Sequence, residues 1–349
     1  MSQLTIAIPT FNRNEKLVEN LSKLLPQIST QKIIIIDNHS DILVSISLEK
    51  LITAYNHIDV KVYRNKTNIG ICANFLRCFE YCETEWMWLL SDDDSVCPDA
   101  IEILERDTSV YTDYHFFNYA SSMVEKGVSY AEIFPENFPN STPLQIKNTL
   151  SYREKSFTTE GLNDLIHKFD SFVNLLFVSS GVYNLSKVLP HLRIGYIYAY
   201  SLAPHLATVF ASLGNSGKVL LSKDKLVFFH PPDYKDTWSR LTFSHGMPLL
   251  MEVPLDMDDE SYHILFHKIT YWFMNDKELF HEVNVTFNNS ERKKRWMFIQ
   301  LVSRTMFKKR NFKQWIKIMY FIFILFYPKF NSYYHKNNNF NSKDSLARL

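Results

Sequence analysis

The sequence predicts an α/β fold with a mostly parallel, doubly wound sheet, flanking helices and a helical extension at its carboxyl end. Three observations lead there. The first 120 residues alternate short β-branched or aromatic runs with stretches of helical apolar spacing. Two of those runs, Ile33 to Ile36 and Trp86 to Leu90, are apolar throughout, as strands covered on both faces must be, and 4–8 reads as a short buried strand. Beyond residue 246 the pattern turns mainly helical.

Taken in order, Leu4-Thr5-Ile6-Ala7-Ile8 reads as a buried strand closed by Pro9. Asn12, with Glu15 three residues on, matches a capping box for a helix carrying Leu17, Leu21, Leu24, Leu25 and Ile28. Ile33 to Ile36 is a second buried strand, ended by the turn residues Asp37-Asn38-His39-Ser40. A helix over about 46–55 leads to the strand Val60-Lys61-Val62-Tyr63. The loop Asn65-Lys66-Thr67-Asn68-Ile69-Gly70 precedes a helix presenting Ile71, Phe75, Cys78, Phe79 and Cys82. Trp86-Met87-Trp88-Leu89-Leu90 then ends abruptly in Ser91-Asp92-Asp93-Asp94, and a further helix follows Pro98. After Tyr114-His115-Phe116-Phe117-Asn118 the alternation fades, and 121–158, with Pro135, Pro139 and Pro143, reads as irregular, a stretch that a hairpin plus a mobile loop would fill. Later signals are a helix near 160–168, the strand Gly181-Val182-Tyr183-Asn184, a helix over about 199–213, and strands near 217–221 and 225–229.

Composition narrows the class. Of the 349 residues 46% are hydrophobic and 21% charged, which excludes a disordered chain. The four cysteines (Cys72, Cys78, Cys82, Cys97) form no CxxC pair and have no histidine close in sequence, so they read as reduced core thiols rather than zinc ligands. Met1-Ser2-Gln3 runs directly into a strand, and no signal peptide is expected. The net charge of +1 hides an asymmetry: residues 292–343 hold thirteen Lys and Arg and no acid, leaving 25 bases against 37 acids elsewhere.

The aspartate triplet carries the chemistry. In open α/β sheets ligands bind beyond the carboxyl ends of the strands, where this cluster falls. Adjacent carboxylates repel and raise one another's pKa unless a cation sits among them. Hard oxygen donors suit Mg²⁺ or Mn²⁺, which bind through one or two carboxylates plus substrate phosphates. The competing local reading has Asp94-Ser95 capping the helix after Pro98.

Four segments taken together resemble one family. Ile8-Pro9-Thr10-Phe11-Asn12-Arg13 looks like the opening motif of family 2 glycosyltransferases, and Ile36-Asp37-Asn38-His39-Ser40 resembles its second-strand terminus. Asn68-Ile69-Gly70 with Asn74 resembles its N-x-G-x-x-x-N segment. Trp88-Leu89-Leu90-Ser91-Asp92-Asp93-Asp94 resembles its D-x-D region, nearest the subgroup written W-L-L-G-D-D-D. The resemblance implies a GT-A fold, Rossmann-like, with a catalytic domain over 1–245. Residues 1–120 would bind the nucleotide-sugar and 121–245 the acceptor. A helical region over 246–330 and a tail over 331–349 would follow.

By the same resemblance Pro9 and Thr10 line the nucleotide pocket and Arg13 lies near the diphosphate. Asp37 faces the base, Asn68 supports base or ribose, Asp92 and Asp93 meet the donor, and Asp92 and Asp94 hold Mn²⁺ or Mg²⁺. His230, after the strand Val227-Phe228-Phe229, stands where some GT-A enzymes supply a further metal ligand. Inverting members deprotonate the acceptor hydroxyl with a carboxylate, usually in an E-D pair. No such pair occurs between 180 and 215, and aligning 181–187 with the family puts Pro204-His205 in its place, making His205 the candidate base. The implied reaction transfers a sugar, with inversion, from a UDP-sugar to a glycan or lipid-linked glycan in bacterial surface polysaccharide synthesis. The alternatives are a sugar nucleotidyltransferase, disfavoured by a first loop without glycine, and a decayed GT-A scaffold, suggested by the missing E-D pair.

The carboxyl-terminal region adds a partner. Lys308-Lys309-Arg310, Lys313, Trp315 and Lys317 lead into an uncharged run over 318–327. Ten residues fall far short of the roughly 20 that span a bilayer. Basic residues beside an aromatic helix fit an interfacial helix on anionic lipid. The expectation is a cytoplasmic protein, peripheral on the inner face of the cytoplasmic membrane, with no nucleic-acid partner.

Overall fold

The computed structural model describes residues 3–124, 130–134, 148–151, 153–229 and 246–274, with 319 and 323 as isolated helical positions. Its amino-terminal half alternates strand and helix. The elements are β1 (Leu4–Thr10), α1 (Asn14–Leu24), β2 (Lys32–Asp37), α2 (Val44–Ala54), β3 (Val60–Arg64), α3 (Ile71–Tyr81), β4 (Trp86–Leu89), the two-residue β5 (Ser95–Val96) and α4 (Ala100–Val110). There follow β6 (Phe116–Met123), α5 (Tyr130–Ile133), β7 (Asn148–Ser151), β8 (Phe157–Glu160), α6 (Gly161–Lys168), α7 (Phe172–Leu176) and β9 (Gly181–Asn184). The last are α8 (Leu185–Val188), α9 (Leu192–Ile197), α10 (Pro204–Leu213), β10 (Lys218–Phe229) and α11 (Asp259–Met274).

One mixed sheet orders these strands β3-β2-β1-β4-β9-β6-β10-β5, with β7 on β6 and β8 on β10. Its first four strands are parallel, as strands joined by helical crossovers must be. β9 then inserts antiparallel between β4 and β6. Every residue of β1 and β4 is buried, which explains why β4 is apolar throughout and β1 is broken only by threonines. Trp86 and Trp88 have no exposed surface, and Trp86 stacks on Phe117 of β6 at 4.4 Å, joining the two halves of the sheet.

The register sets up the site. Thr10 pairs with Asp37, and Asp37 with Arg64, so β1, β2 and β3 end side by side at one edge. There the chain differs from the sequence reading. Asn12 does not cap α1; its φ is +54°, and its side chain bridges to Asp41 in the next loop, Nδ2 donating to the Asp41 carboxylate at 3.1 Å and Oδ1 accepting from Asp41 backbone N at 2.8 Å. Asp94 and Ser95 do not cap α4 either, since that helix starts at Ala100 after Asp99. The helix expected from 199 begins at Pro204, a residue suited to a first turn, after Leu202 takes φ +63°. The two strands expected near 217–221 and 225–229 are one, β10, whose pairing with β6 shifts register between Ser222 and Lys225. Part of the stretch expected to be irregular is ordered as β7 and β8.

The chain divides into two compact units. The first comprises 1–199, 204–231 and 255–257 and contains the whole sheet. The second comprises 200–203, 232–254 and 258–349; its described part holds a 3₁₀ segment, Met247–Glu252, and α11, whose first turn is tied by Ser261 N donating to Asp258 Oδ1 at 2.7 Å.

Candidate active site

The triplet sits in a turn fixed at both ends. Upstream, Leu90 N donates to Ala7 O at 2.9 Å, continuing the β4–β1 ladder. Downstream, β5 pairs antiparallel with β10, Val96 opposite Val227. Within the turn the carboxylates are held by side chains from three other elements. Thr10 Oγ1 donates to Asp92 Oδ2 at 2.7 Å. Arg13 spans Asp92 Oδ1 at 3.1 Å and Asp93 Oδ2 at 2.8 Å. Ser91 Oγ donates to Asp93 Oδ1 at 2.7 Å, and Ser179 Oγ to Asp94 Oδ2 at 2.5 Å. Asn20 of α1 holds the Asp92 carbonyl at 2.8 Å.

Five of the six carboxylate oxygens thus have a donor; among the described residues the sixth, Asp94 Oδ1, has none. Asp92 and Asp94 are each only 4% exposed. Burial is the main reason their carboxyls bind protons more tightly than usual, with the Asp93 charge second. Asp92 is pushed up to about 6, Arg13 and Thr10 pulling partly back, and Asp94 lies well above its ordinary range. One guanidinium therefore faces three carboxylates, and the cluster is short of positive charge.

The residues fit a divalent metal on that ground. Their donors are hard carboxylate oxygens, one of them open, in a site whose electrostatics call for a further cation. Among the described residues no three His, Cys, Asp or Glu side chains converge to enclose a metal.

A second cluster stands at the ends of β2 and β3. Asp37, 1% exposed, accepts from Ser40 N at 2.8 Å and from Arg64 at 2.5 Å, while Arg64 also donates to Ser40 O at 2.8 Å. Beside it four asparagines link up. Asn38 donates to Asn68 (2.9 Å), Asn65 to both Asn38 (3.0 Å) and Asn74 (2.8 Å), and Asn74 to Ile36 O (3.0 Å). Asn38 Oδ1 also accepts from Ile69 N at 3.0 Å, pinning the 65–70 loop onto the end of β2. Gly70 closes that loop at φ +83°, a conformation that costs a residue with a Cβ.

Pro9, Thr10, Arg13, Asp37, Asn68, Asp92, Asp93 and Asp94 all lie at this strand-end edge. His205 does not join them. It has no exposed surface, lies edge-on to Phe75 at 6.3 Å, and neither ring nitrogen has a hydrogen-bond partner among the described residues. The backbone of Leu176 and Leu175 approaches the ring, and burial drives its pKa down to about 4, so it is neutral. A ring so enclosed reaches no acceptor hydroxyl in this structure. His230 lies outside the described residues, as do the basic residues over 308–317. The cysteines are all buried and free. Arg64, Asn38, Asn65, Asn20 and Ser179 are the site's unanticipated members.

Residues 5–112, which carry both clusters, match the model of glycosyl transferase family 2. They form a family 2 glycosyltransferase domain. The fold agrees. The 1–349 fragment of S. aureus TarS has a TM-score of 0.58 at 12% identity, over 87% of this chain and 80% of that one. Its complex with UDP-GlcNAc gives 0.60 at 12% identity, over 87% and 81%. A Pyrobaculum calidifontis mannosyltransferase in complex with GDP-Man and Mn²⁺ gives 0.50 at 10% identity, over 94% and 88%. No curated protein sequence matches the chain. The chain therefore has the GT-A fold, and the family match over 5–112 spans the sheet edge just described.

Proposed function

We propose that this glycosyltransferase moves a sugar from a UDP-sugar to a hydroxyl of a glycan or glycolipid, inverting the anomeric centre, with Mn²⁺ or Mg²⁺ bound at the triplet. The observation that carries the reading is the one carboxylate oxygen of the triplet without a donor among the described residues, Asp94 Oδ1, in a buried cluster where one guanidinium faces three carboxylates. Support for the donor comes from the UDP-GlcNAc complex of the similar TarS fragment, and for the metal from the Mn²⁺ of the similar mannosyltransferase.

In this reading Asp94 would hold the metal directly through Oδ1, and Asp92, both of whose oxygens already accept hydrogen bonds, would hold it through water. Bound there, it supplies Lewis-acid stabilisation of charge on the leaving diphosphate. The protein's own residues do the rest. Asp37, oriented by Arg64 and Ser40 N, presents a fixed acceptor to the base, and the asparagine-pinned loop carrying Asn68 bounds the base and ribose. Thr10 fixes Asp92 on the donor side, and Arg13 is the cation nearest to where negative charge develops.

The same reading places the enzyme in the synthesis of a bacterial surface polysaccharide. The basic aromatic segment over 308–327 would rest on the anionic inner face of the cytoplasmic membrane, a surface suited to lipid-linked acceptors. Among the described residues no helix is long and apolar enough to cross a bilayer. The function is tested by UDP release from a panel of UDP-sugars with Mn²⁺ and candidate acceptors, wild type against Asp94→Ala. Release by the wild type alone supports it; equal release by both, or by neither with any pair, refutes it.

A further inference from the structure

Ser179 lies in a 3₁₀ turn, Val178–Ser180, immediately before β9, in the half of the chain expected to bind the acceptor. It is fully buried, yet every polar group it offers toward the donor side is engaged. Its Oγ accepts from Ser91 N at 2.9 Å and donates its one proton to Asp94 Oδ2 at 2.5 Å. Its carbonyl accepts from Trp88 Nε1 at 2.9 Å, so the turn is fastened to β4 from below while its hydroxyl reaches over the end of that strand. A hydroxyl has a single hydrogen, and accepting from Ser91 N leaves that hydrogen for the carboxylate. The orientation of the bond is therefore fixed by the backbone.

We infer that Ser179 is a positioning residue that makes Asp94 a one-oxygen metal ligand, occupying Oδ2 and turning Oδ1 outward. The inference rests on the metal reading of the cluster and adds to it the means by which the ligand geometry is set. Asp92 needs no such partner, because Thr10 and Arg13 already occupy both its oxygens. Asp94 without Ser179 would present two free oxygens. Mg²⁺ and Mn²⁺ take carboxylates in compact octahedral shells, whereas Ca²⁺ accepts a carboxylate through both oxygens. Ser179 thus favours the small cations over calcium, and it does so from the segment leading into β9, tying donor-side metal geometry to the acceptor half.

The test is calorimetric titration of the full chain, saturated with UDP, with Mg²⁺, Mn²⁺ and Ca²⁺ in turn. Removing a group that orients a metal ligand costs roughly 10- to 100-fold in metal affinity. Ser179→Ala should weaken Mg²⁺ and Mn²⁺ by that factor and Ca²⁺ much less, shifting the Mg²⁺/Ca²⁺ affinity ratio at least about tenfold. Ser179→Cys, similar in size but a weak donor, should shift it in the same direction by less, and serves if the alanine variant does not fold. Ser179→Thr, which keeps the hydroxyl, should restore the wild-type ratio. A merely structural role would lower all three affinities together, and that result overturns the inference. Unchanged affinities in Ser179→Ala overturn it while leaving the metal site standing. A wild type that binds no metal with UDP overturns the metal reading and this inference with it.

Discussion

Lowering the pH should strip the donor and its metal from this enzyme well above the range in which ordinary aspartates protonate. Asp92 is held at about 6 by burial and by Asp93. The sign follows from which form binds: the metal needs the carboxylate, and the free site holds the proton. The Asp92 contribution is therefore full well above pH 6 and is lost as the pH falls through that value. At pH 5 about a tenth of Asp92 is ionised, which weakens binding about tenfold, or about 1.4 kcal/mol. Asp94, also raised by burial and by Asp93, adds to the loss. At pH 6 binding should expel about half a proton from Asp92 alone. Calorimetry with Mn²⁺ and a UDP-sugar, whose diphosphate does not titrate in this range, measures both quantities when run in buffers of different ionisation enthalpy. Asp92→Asn is the reference and should show a shallower pH dependence. Affinity that stays flat from pH 8 to pH 5, or an equal slope in Asp92→Asn, would refute the reasoning.

Other expectations follow from the same contacts. Arg64→Ala leaves the buried Asp37 without its cation and should destabilise the protein by about 3 kcal/mol, seen as a lower Tm. Asn74→Ala strands Ile36 O and Asn65 Nδ2; it should cost about 1–3 kcal/mol and raise the Kd for UDP. Deleting 311–349 should move the protein from membrane to soluble fractions, and unchanged partitioning would rule out that anchor.

The strand ends were legible because each carries both a fold signal and a chemical one. Asp37 stops an isoleucine run and Ser91-Asp92-Asp93-Asp94 stops a tryptophan-rich one, so the ligand-binding edge could be placed without knowing the sheet order. What escaped notice depends on contacts distant in sequence. Ser179 meets Asp94 across 85 positions, and no local pattern marks a serine in Val178-Ser179-Ser180 as a partner. Asn12 and Glu15 have capping-box spacing, but Asn12 finds Asp41, 29 residues away, and its turn takes over. His205 was placed by alignment to an absent carboxylate pair. The warning lay in its own helix: Pro204 to Phe210 is buried on every side, and such a helix has no face to offer an acceptor. The strands expected near 217–221 and 225–229 left 222–224 between them, whereas those residues sit at an irregularity in one long strand.

The central claim is that the triplet is a metal–diphosphate site with Asp94 Oδ1 as its open ligand. A crystal soaked with UDP and Mn²⁺, with anomalous data collected for manganese, tests it most directly. The account predicts one manganese peak in coordination distance of Asp94 Oδ1 and both phosphates, with uracil at Asp37 and Asp94 Oδ2 still held by Ser179. A nucleotide bound with its diphosphate away from the triplet, or a metal that ignores Asp94, would contradict it.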